Sequence, residues 1–420
     1  MKVTISEPQA WKRVMDIEVP EEELAGLFEE KLAKIKKDLT LDGFRAGRVP
    51  VALVKQRYGE AIRADAVEEL IQKSFKAACD DHAILPISRG VVRDLKSEAG
   101  HPLTFTIEAE IDPAIEIEGY RKLKIKVAPK KIKDADIDAA IVDLLDRFAE
   151  YTAVDRPAKK GDYIRIEYQR VVIDGQERSD VKNPTYPVEL GAEHRLKDFD
   201  KALIGHAAGE IVELSVKFPK DYAEKEAAGK QGEFIVKITG VQEKIVPEVA
   251  SFLNKIGNFE TEEALRVDLR ARLEGDALEQ AKNEAYGKAI DTLIENNPFD
   301  VPPARIETFF DYMMDEARKQ VHQGEREPTR QEIDARYRDV AIRTIKRQRI
   351  VDFVADKEKI AATQEEVDTE IRRLADYYQQ PFDTLKQSLR ANGTTLRIRD
   401  EIREKKTLAF LVDPSEAGKR

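Results

Sequence analysis

Apolar residues fall at every second position in two short stretches near the start of the chain. Arg13, Met15, Ile17 and Val19 alternate with Val14, Asp16 and Glu18, and Leu103, Phe105, Ile107, Ala109 and Ile111 alternate with Thr104, Thr106, Glu108 and Glu110. A period of two predicts strands with one face buried. Between these stretches the period changes. Leu24, Phe28, Leu32, Ile35 and Leu39 form one stripe at helical spacing, and Ile62, Val67, Leu70, Ile71, Phe75 and Ala78 form a second. Two amphipathic helices are predicted, with Pro20 and Pro50 placed to open them. Residues 1–112 therefore read as an α+β module that closes near Asp112-Pro113.

Residues 113–150 read as a connector. Leu123, Ile125 and Val127 alternate with Lys122, Lys124 and Lys126, and Asp134 can cap a helix carrying Ile137, Ile141, Leu144 and Phe148. Residues 151–246 read as a β-rich module. Ile164, Ile166 and Tyr168 alternate before the turn Asp174-Gly175, a hairpin signal. Further short strands are expected at Val188 to Gly191, at Val212 to Phe218 and at Phe234 to Ile238, with a helical piece around Phe199 to Ile204. Residues 247–420 read as helical. Thr329-Arg330-Gln331-Glu332 and Thr363-Gln364-Glu365-Glu366 both have the capping-box form, Pro302-Pro303 restarts a helix, and Pro381 and Gly393 divide the last stretch. The tail from Asp413 to Arg420 is expected to fray. The fold class expected is a multidomain α+β chain.

Composition narrows the function classes. The chain has 420 residues, a length that suits about two to four domains. Charged residues make up 36%, against a usual ~25%. Lys and Arg total 71 against 81 Asp and Glu, a net charge of −10, which argues against general coating of DNA. No apolar run approaches the ~18 residues of a membrane helix, and the N-terminus lacks the apolar segment of a secretory leader. A single Cys79 forbids an intramolecular disulfide and suits a reducing compartment, so a cytoplasmic location is expected. Cys79 and His82 have C-x-x-H spacing without a second pair, so they read as a core thiol and a surface imidazole. No metal and no cofactor are expected, and the nucleotide-cradling and nucleophile-elbow motifs are absent from the sequence.

One segment stands apart. Gly43-Phe44-Arg45-Ala46-Gly47-Arg48-Val49-Pro50 lies between the two head helices, where an exposed loop is expected. An aromatic ring with adjacent guanidinium groups can anchor on a phosphate-rich or acidic surface. The window 42–63 holds Arg45, Arg48, Lys55, Arg57 and Arg63 against Asp42 and Glu60, a local +3.

The eight-residue segment, followed by Gln56-Arg57-Tyr58-Gly59, resembles the signature of the trigger factor family of bacterial ribosome-associated chaperones. The order of the remaining segments is similar too: α+β head, linker, FKBP-like antiparallel β domain, then a long all-helical C-terminal domain containing Asp300-Val301-Pro302. The resemblance implies that Gly43, Phe44, Arg45, Ala46 and Arg48 dock the head on the large ribosomal subunit at the nascent-chain exit. Ala46 departs from the basic residue usual there, while Arg48 keeps a cation nearby. It also implies unfolded and nascent polypeptides as partners, held by the helical region without ATP, and leaves a homodimer open. Membrane and DNA are not implied.

The β module resembles an FKBP-type peptidyl-prolyl isomerase through Ile164 to Tyr168, Gly205 to Glu210 and Phe218 to Tyr222. Carried over by position, the apolar pocket comprises Tyr168, Leu196, Phe199, Tyr222 and Phe234. Two departures bear on it. Arg178-Ser179-Asp180 stands where the family has F-x-G-G, and Lys197-Asp198-Phe199 where it has P-G-F. Isomerase activity is expected to be weak on short peptides. The competing readings are a soluble FKBP-type isomerase without ribosome docking, and a helical scaffold carrying an inactive β module.

Overall fold

The computed structural model describes residues 1–40, 44, 49–98, 100–178, 186–191, 197–220, 222, 227–256, 258–320 and 326–413. The chain forms two compact units, one from residues 1–127 with 282–420 and the other from 128–281.

In the first unit, β1 (Lys2–Gln9), β2 (Lys12–Val19), β3 (Val91–Lys96) and β4 (Leu103–Glu110) make an antiparallel sheet of order β1-β2-β4-β3. Met15, Ile17 and Val19 of β2 and Leu103, Phe105, Ile107 and Ala109 of β4 face one side, as their alternation predicts. Against them pack α1 (Glu21–Asp38) and α2 (Val51–Asp81), through Leu24, Leu27, Ala66, Val67, Leu70, Ala78 and Cys79. Strand β1 was not apparent in the pattern. It is an edge strand whose only inward apolar residues are Val3 and Ile5, both partly buried.

The same unit also contains the second part of α6 (Glu262–Asn296), α7 (Pro303–Gln320), α8 (Arg330–Lys357), α9 (Gln364–Tyr377), α10 (Phe382–Ala391) and α11 (Thr394–Val412). Both capping boxes form: Glu332 accepts from the Thr329 N–H at 2.8 Å, and Glu366 from the Thr363 N–H at 2.7 Å. Ile117 is buried among Ala289, Ile290, Leu293, Ile350 and Phe410. The Asn297 amide clamps the same segment, accepting from the Glu118 N–H at 2.8 Å and donating to Glu118 O at 3.3 Å. The start of the expected connector is thus part of the helical core. Leu123 and Ile125 pack on that core too.

The second unit contains α3 (Asp134–Arg147), β5 (Glu150–Ala153), β6 (Tyr163–Ile173), β7 (Gln176–Glu177), β8 (Tyr186–Glu189), α4 (Lys197–Leu203), β9 (Ile211–Lys217), β10 (Gln231–Ile245), α5 (Val249–Ile256) and the first part of α6. The sheet runs β5-β10-β6-β7, with β8 added to β6 and β9 to β10. Helix α3 starts differently from the expectation. Asp134 is its first residue, and Asp136 does the capping by accepting the Lys133 N–H at 2.9 Å. Ile137, Ile141 and Leu145 of α3 are buried with Phe252, Leu253 and Leu265. Lys244 of β10 lies 2.6 Å from both Asp146 and Glu189, which fastens α3 to the β module. Burial pushes the Lys244 ammonium down, but the two carboxylates outweigh it and hold it above the usual lysine range.

Candidate functional site

The aromatic site is built on Phe234, in the middle of β10. Phe234 stands opposite Val171 of β6 and Leu214 of β9. A bulge decides which residues join it. Ile235 pairs with Arg170 but Val236 pairs with Tyr168, so Gln169 is an extra residue in β6. The extra residue shifts the inward phase from Ile164, Ile166 and Tyr168 to Val171 and Ile173. Both halves of β6 therefore face the same core.

Three rings surround Phe234. Phe199 of α4 lies 5.6 Å away at 90°, Tyr168 at 6.1 Å and Phe218 at 6.3 Å. Tyr222 packs on Phe218 with centroids 4.8 Å apart. Phe199, Phe218 and Phe234 are buried, whereas Tyr168 and Tyr222 are half-buried at the border of the cluster. The edge-to-face contacts of Phe199 and Phe218 with Phe234 suit the aromatic quadrupole. Gly232 leaves room for the rings: a Cβ there would come within 2.7 Å of Phe218 and 2.8 Å of Phe234. Four of the five pocket residues expected from sequence are thus brought together, and Leu196 lies outside the described residues. Phe218 is a ring of this cluster that the pocket expected from sequence does not include. Its position in the Phe218-Pro219-Lys220-Asp221-Tyr222 stretch, four residues before Tyr222, was the available signal.

Helix α4 is held from behind. The Asp200 carboxylate, buried beside Phe199 in sequence, accepts from the Gly191 N–H at 2.8 Å. Its other oxygen is buried and finds no donor among the described residues. Leu190 and Asp162 continue this contact, because the Leu190 N–H donates to Asp162 O at 3.0 Å. Burial pushes the Asp162 carboxyl up, but the Arg156 guanidinium at 2.6 Å and the Lys159 N–H at 2.8 Å outweigh it, leaving it below the usual carboxylate range.

At the head, Val49 is fully buried with Leu32, Val54 and Ile62, and Pro50 precedes the first residue of α2. Phe44 is 39% exposed, unusual for a phenylalanine. Gly43, Arg45, Ala46 and Arg48 lie outside the described residues. Two of the cations counted in the local +3 are engaged. Lys55 pairs with Glu29 at 2.6 Å, and Arg63 donates to Ser97 O at 3.3 Å. Arg57 is exposed on the same helix. Among the described residues no group of three or more His, Cys, Asp or Glu could hold a metal, and no helix is long and apolar enough to cross a membrane.

Comparison with known proteins bears on both sites. Family models for bacterial trigger factor match residues 1–144 and, for its C-terminus, 261–413, and a model for FKBP-type peptidyl-prolyl cis-trans isomerase matches 154–241. Trigger factor of Koribacter versatilis (strain Ellin345) is 30% identical over 412 residues, covering 96% of this chain and 94% of that protein. The chain belongs to the trigger factor family. Trigger factors of Natranaerobius thermophilus and Moorella thermoacetica are each 28% identical, covering 96% and 99% of this chain and 93% and 95% of their own. A solved structure described by promiscuous substrate recognition in folding and assembly activities of the trigger factor chaperone aligns with TM-score 0.51. It is 19% identical and covers 98% of this chain and 99% of its own, a likeness of fold alone. The α+β head, the FKBP-like β module and the helical C-terminal part match the trigger factor fold. As a trigger factor, the protein is a ribosome-associated chaperone for newly made polypeptides, with an FKBP-type isomerase domain.

Proposed function

We propose that Tyr168, Leu196, Phe199, Tyr222 and Phe234 form the surface on which X–Pro bonds are twisted, with Phe218 as a sixth member. The convergence of rings on Phe234, with two half-buried tyrosines at the border, carries this reading. Rotation about a peptide bond meets a barrier of ~18–20 kcal/mol because twisting breaks amide resonance. An apolar surface strips water from the planar, more polar amide and favours the twisted one, so no nucleophile is required. A 10⁴-fold acceleration needs about 5.4 kcal/mol of such differential stabilisation.

Activity on short peptides is expected to be weak, because Arg178 stands near an otherwise apolar wall. Unfolded proteins held elsewhere on the molecule are better substrates, since tethering raises the local concentration of their prolines. The helical region (247–420) supplies the holding surface, the head (1–112) docks at the nascent-chain exit of the large subunit through Phe44 and Arg45, 113–150 links head to isomerase module (151–246), and the protein works in the cytoplasm without ATP.

Two measurements test this. Cosedimentation with ribosomes should be salt-sensitive and weakened by Phe44→Ala with Arg45→Ala; equal cosedimentation of wild type and double variant would remove the docking assignment. Isomerisation should be detected on an unfolded protein chain and be slower on a short prolyl peptide; no catalysis on either would leave the module a binding or structural unit.

A further inference from the structure

Between Glu118 and Asp134 the chain has no Asp or Glu, although its net charge is −10. The part of this stretch in the first unit carries Arg121, Lys122, Lys124 and Lys126. Burial alternates along it: Leu123, Ile125 and Val127 are half-buried, whereas Lys122, Lys124 and Lys126 are exposed. Leu123 and Ile125 pack on the core that holds Ile290, Ile350 and Phe410. Successive side chains of an extended segment take opposite sides, so the three lysines line the side away from that core.

The segment is anchored at its start. The Tyr120 hydroxyl and the Arg121 guanidinium both donate to Glu358, the residue that follows α8, at 2.7 and 2.6 Å. Tyr120 also meets the Phe353 ring edge-on, with centroids 6.4 Å apart. The Glu358 carboxylate is thereby taken up, and Lys122, Lys124 and Lys126 form no ion pair among the described residues. Two residues of extended chain rise ~6.6 Å, so the three ammonium groups make a row ~13 Å long. A strand of duplex nucleic acid carries a phosphate about every 3.4 Å of axis, so each lysine can meet a phosphate of its own. The row has no exposed apolar or aromatic member between its lysines, which an unfolded polypeptide or a stacked base would need.

We infer that Lys122, Lys124 and Lys126 form a contact for the phosphate backbone of ribosomal RNA, in addition to the segment around Phe44. A ribosome-associated chaperone works beside such a polyanion. The contact reads charge and not base identity, so it is independent of sequence and weakens with salt. Because the segment is fixed by its own packing and by Glu358, the lysines are presented in a row without ordering of the backbone on binding.

The experiment uses the full chain and purified ribosomes, with Kd taken from cosedimentation at several salt concentrations. Each phosphate contact releases counterions, so changing all three lysines to Gln should lower the slope of log affinity against log salt by about 2 to 3. Changing all three to Arg should keep the slope. Each single substitution, such as Lys124→Gln, should lower it by about 1, which keeps the measurement possible if the triple variant is unstable. The slope separates this contact from that of Phe44, which carries no charge. Equal slopes in wild type and in the Gln variants would overturn the proposal. An unchanged slope with lost binding of poly-glutamate would overturn it as well, and would give the row to acidic polypeptides instead.

Discussion

The ring of Phe199 meets the ring of Phe234 edge-on, with centroids 5.6 Å apart and planes at 90°. This contact joins the short helix α4 to the long strand β10, and the other rings are arranged around it. Removing either ring should therefore do more than open a cavity. Phe199→Ala should lower kcat/KM for X–Pro isomerisation at least tenfold while aggregation suppression persists, because the helical region is untouched. A large-to-small change in a buried aromatic costs ~3–5 kcal/mol, so a circular dichroism melt must accompany the kinetics. Phe199→Leu, which keeps the volume better, should recover stability more than activity.

Gly232 is required by its neighbours' rings rather than by its own backbone angles. Gly232→Ala places a Cβ 2.7 Å from Phe218 and 2.8 Å from Phe234. Overpacking of this kind costs ~1–3 kcal/mol, and the displaced rings are those of the pocket. Thermal unfolding should fall and isomerase activity should fall with it, whereas ribosome cosedimentation should not change.

Asp200 holds the end of β8 to α4 through the Gly191 N–H. Asp200→Ala deprives the Gly191 N–H of this acceptor, a net loss of ~0.5–1.5 kcal/mol. KM for a prolyl peptide should rise, because the element carrying Phe199 is no longer pinned. Asp200→Asn, which keeps an acceptor oxygen, should restore most of the lost stability; a melt and a KM measurement on both variants check this.

Phe44 is partly exposed, and Arg57 is an exposed cation on the adjoining helix. A hot-spot residue is worth ~2 kcal/mol or more, so Phe44→Ala should weaken ribosome binding about thirtyfold. Ala46→Lys should tighten it and steepen its salt dependence. Cosedimentation at several salt concentrations reads both effects.

Lys31 and Lys73 hold the Glu69 carboxyl down, from an ordinary 4.5 to about 2. A carboxyl lowered by folding stabilises the native state above its unfolded pKa and loses that contribution as pH falls through the folded one. The window is therefore about pH 4.5 to 2. Since Lys31 belongs to α1 and Glu69 to α2, the helix pair should become easier to unfold across that window. Glu69→Gln should flatten this part of the stability curve, as measured by denaturant melts at stepped pH.

The parts of the molecule legible in the sequence are those made by residues a few positions apart. A hydroxyl at Thr329 or Thr363 and a carboxylate three residues on cap a helix wherever that helix is placed, and both helices start there. Alternation at Leu103 to Ala109 specifies a half-buried strand before its partners are known, and the Gly43 to Pro50 segment places the chain in its family. The rest depended on contacts far apart in the chain. Nothing near Ile117 says that it is buried among residues of α6, α8 and α11. Val3 and Ile5 are too few to mark an edge strand, which is held mainly by backbone hydrogen bonds to β2. The Gln169 bulge resets which side chains of β6 face inward, and only the pairing with β10 reveals it. Local periodicity and capping are short-range energies written in adjacent residues. The aromatic pocket is a long-range one, fixed by the register in which β6, β9 and β10 meet and by the helix laid across them.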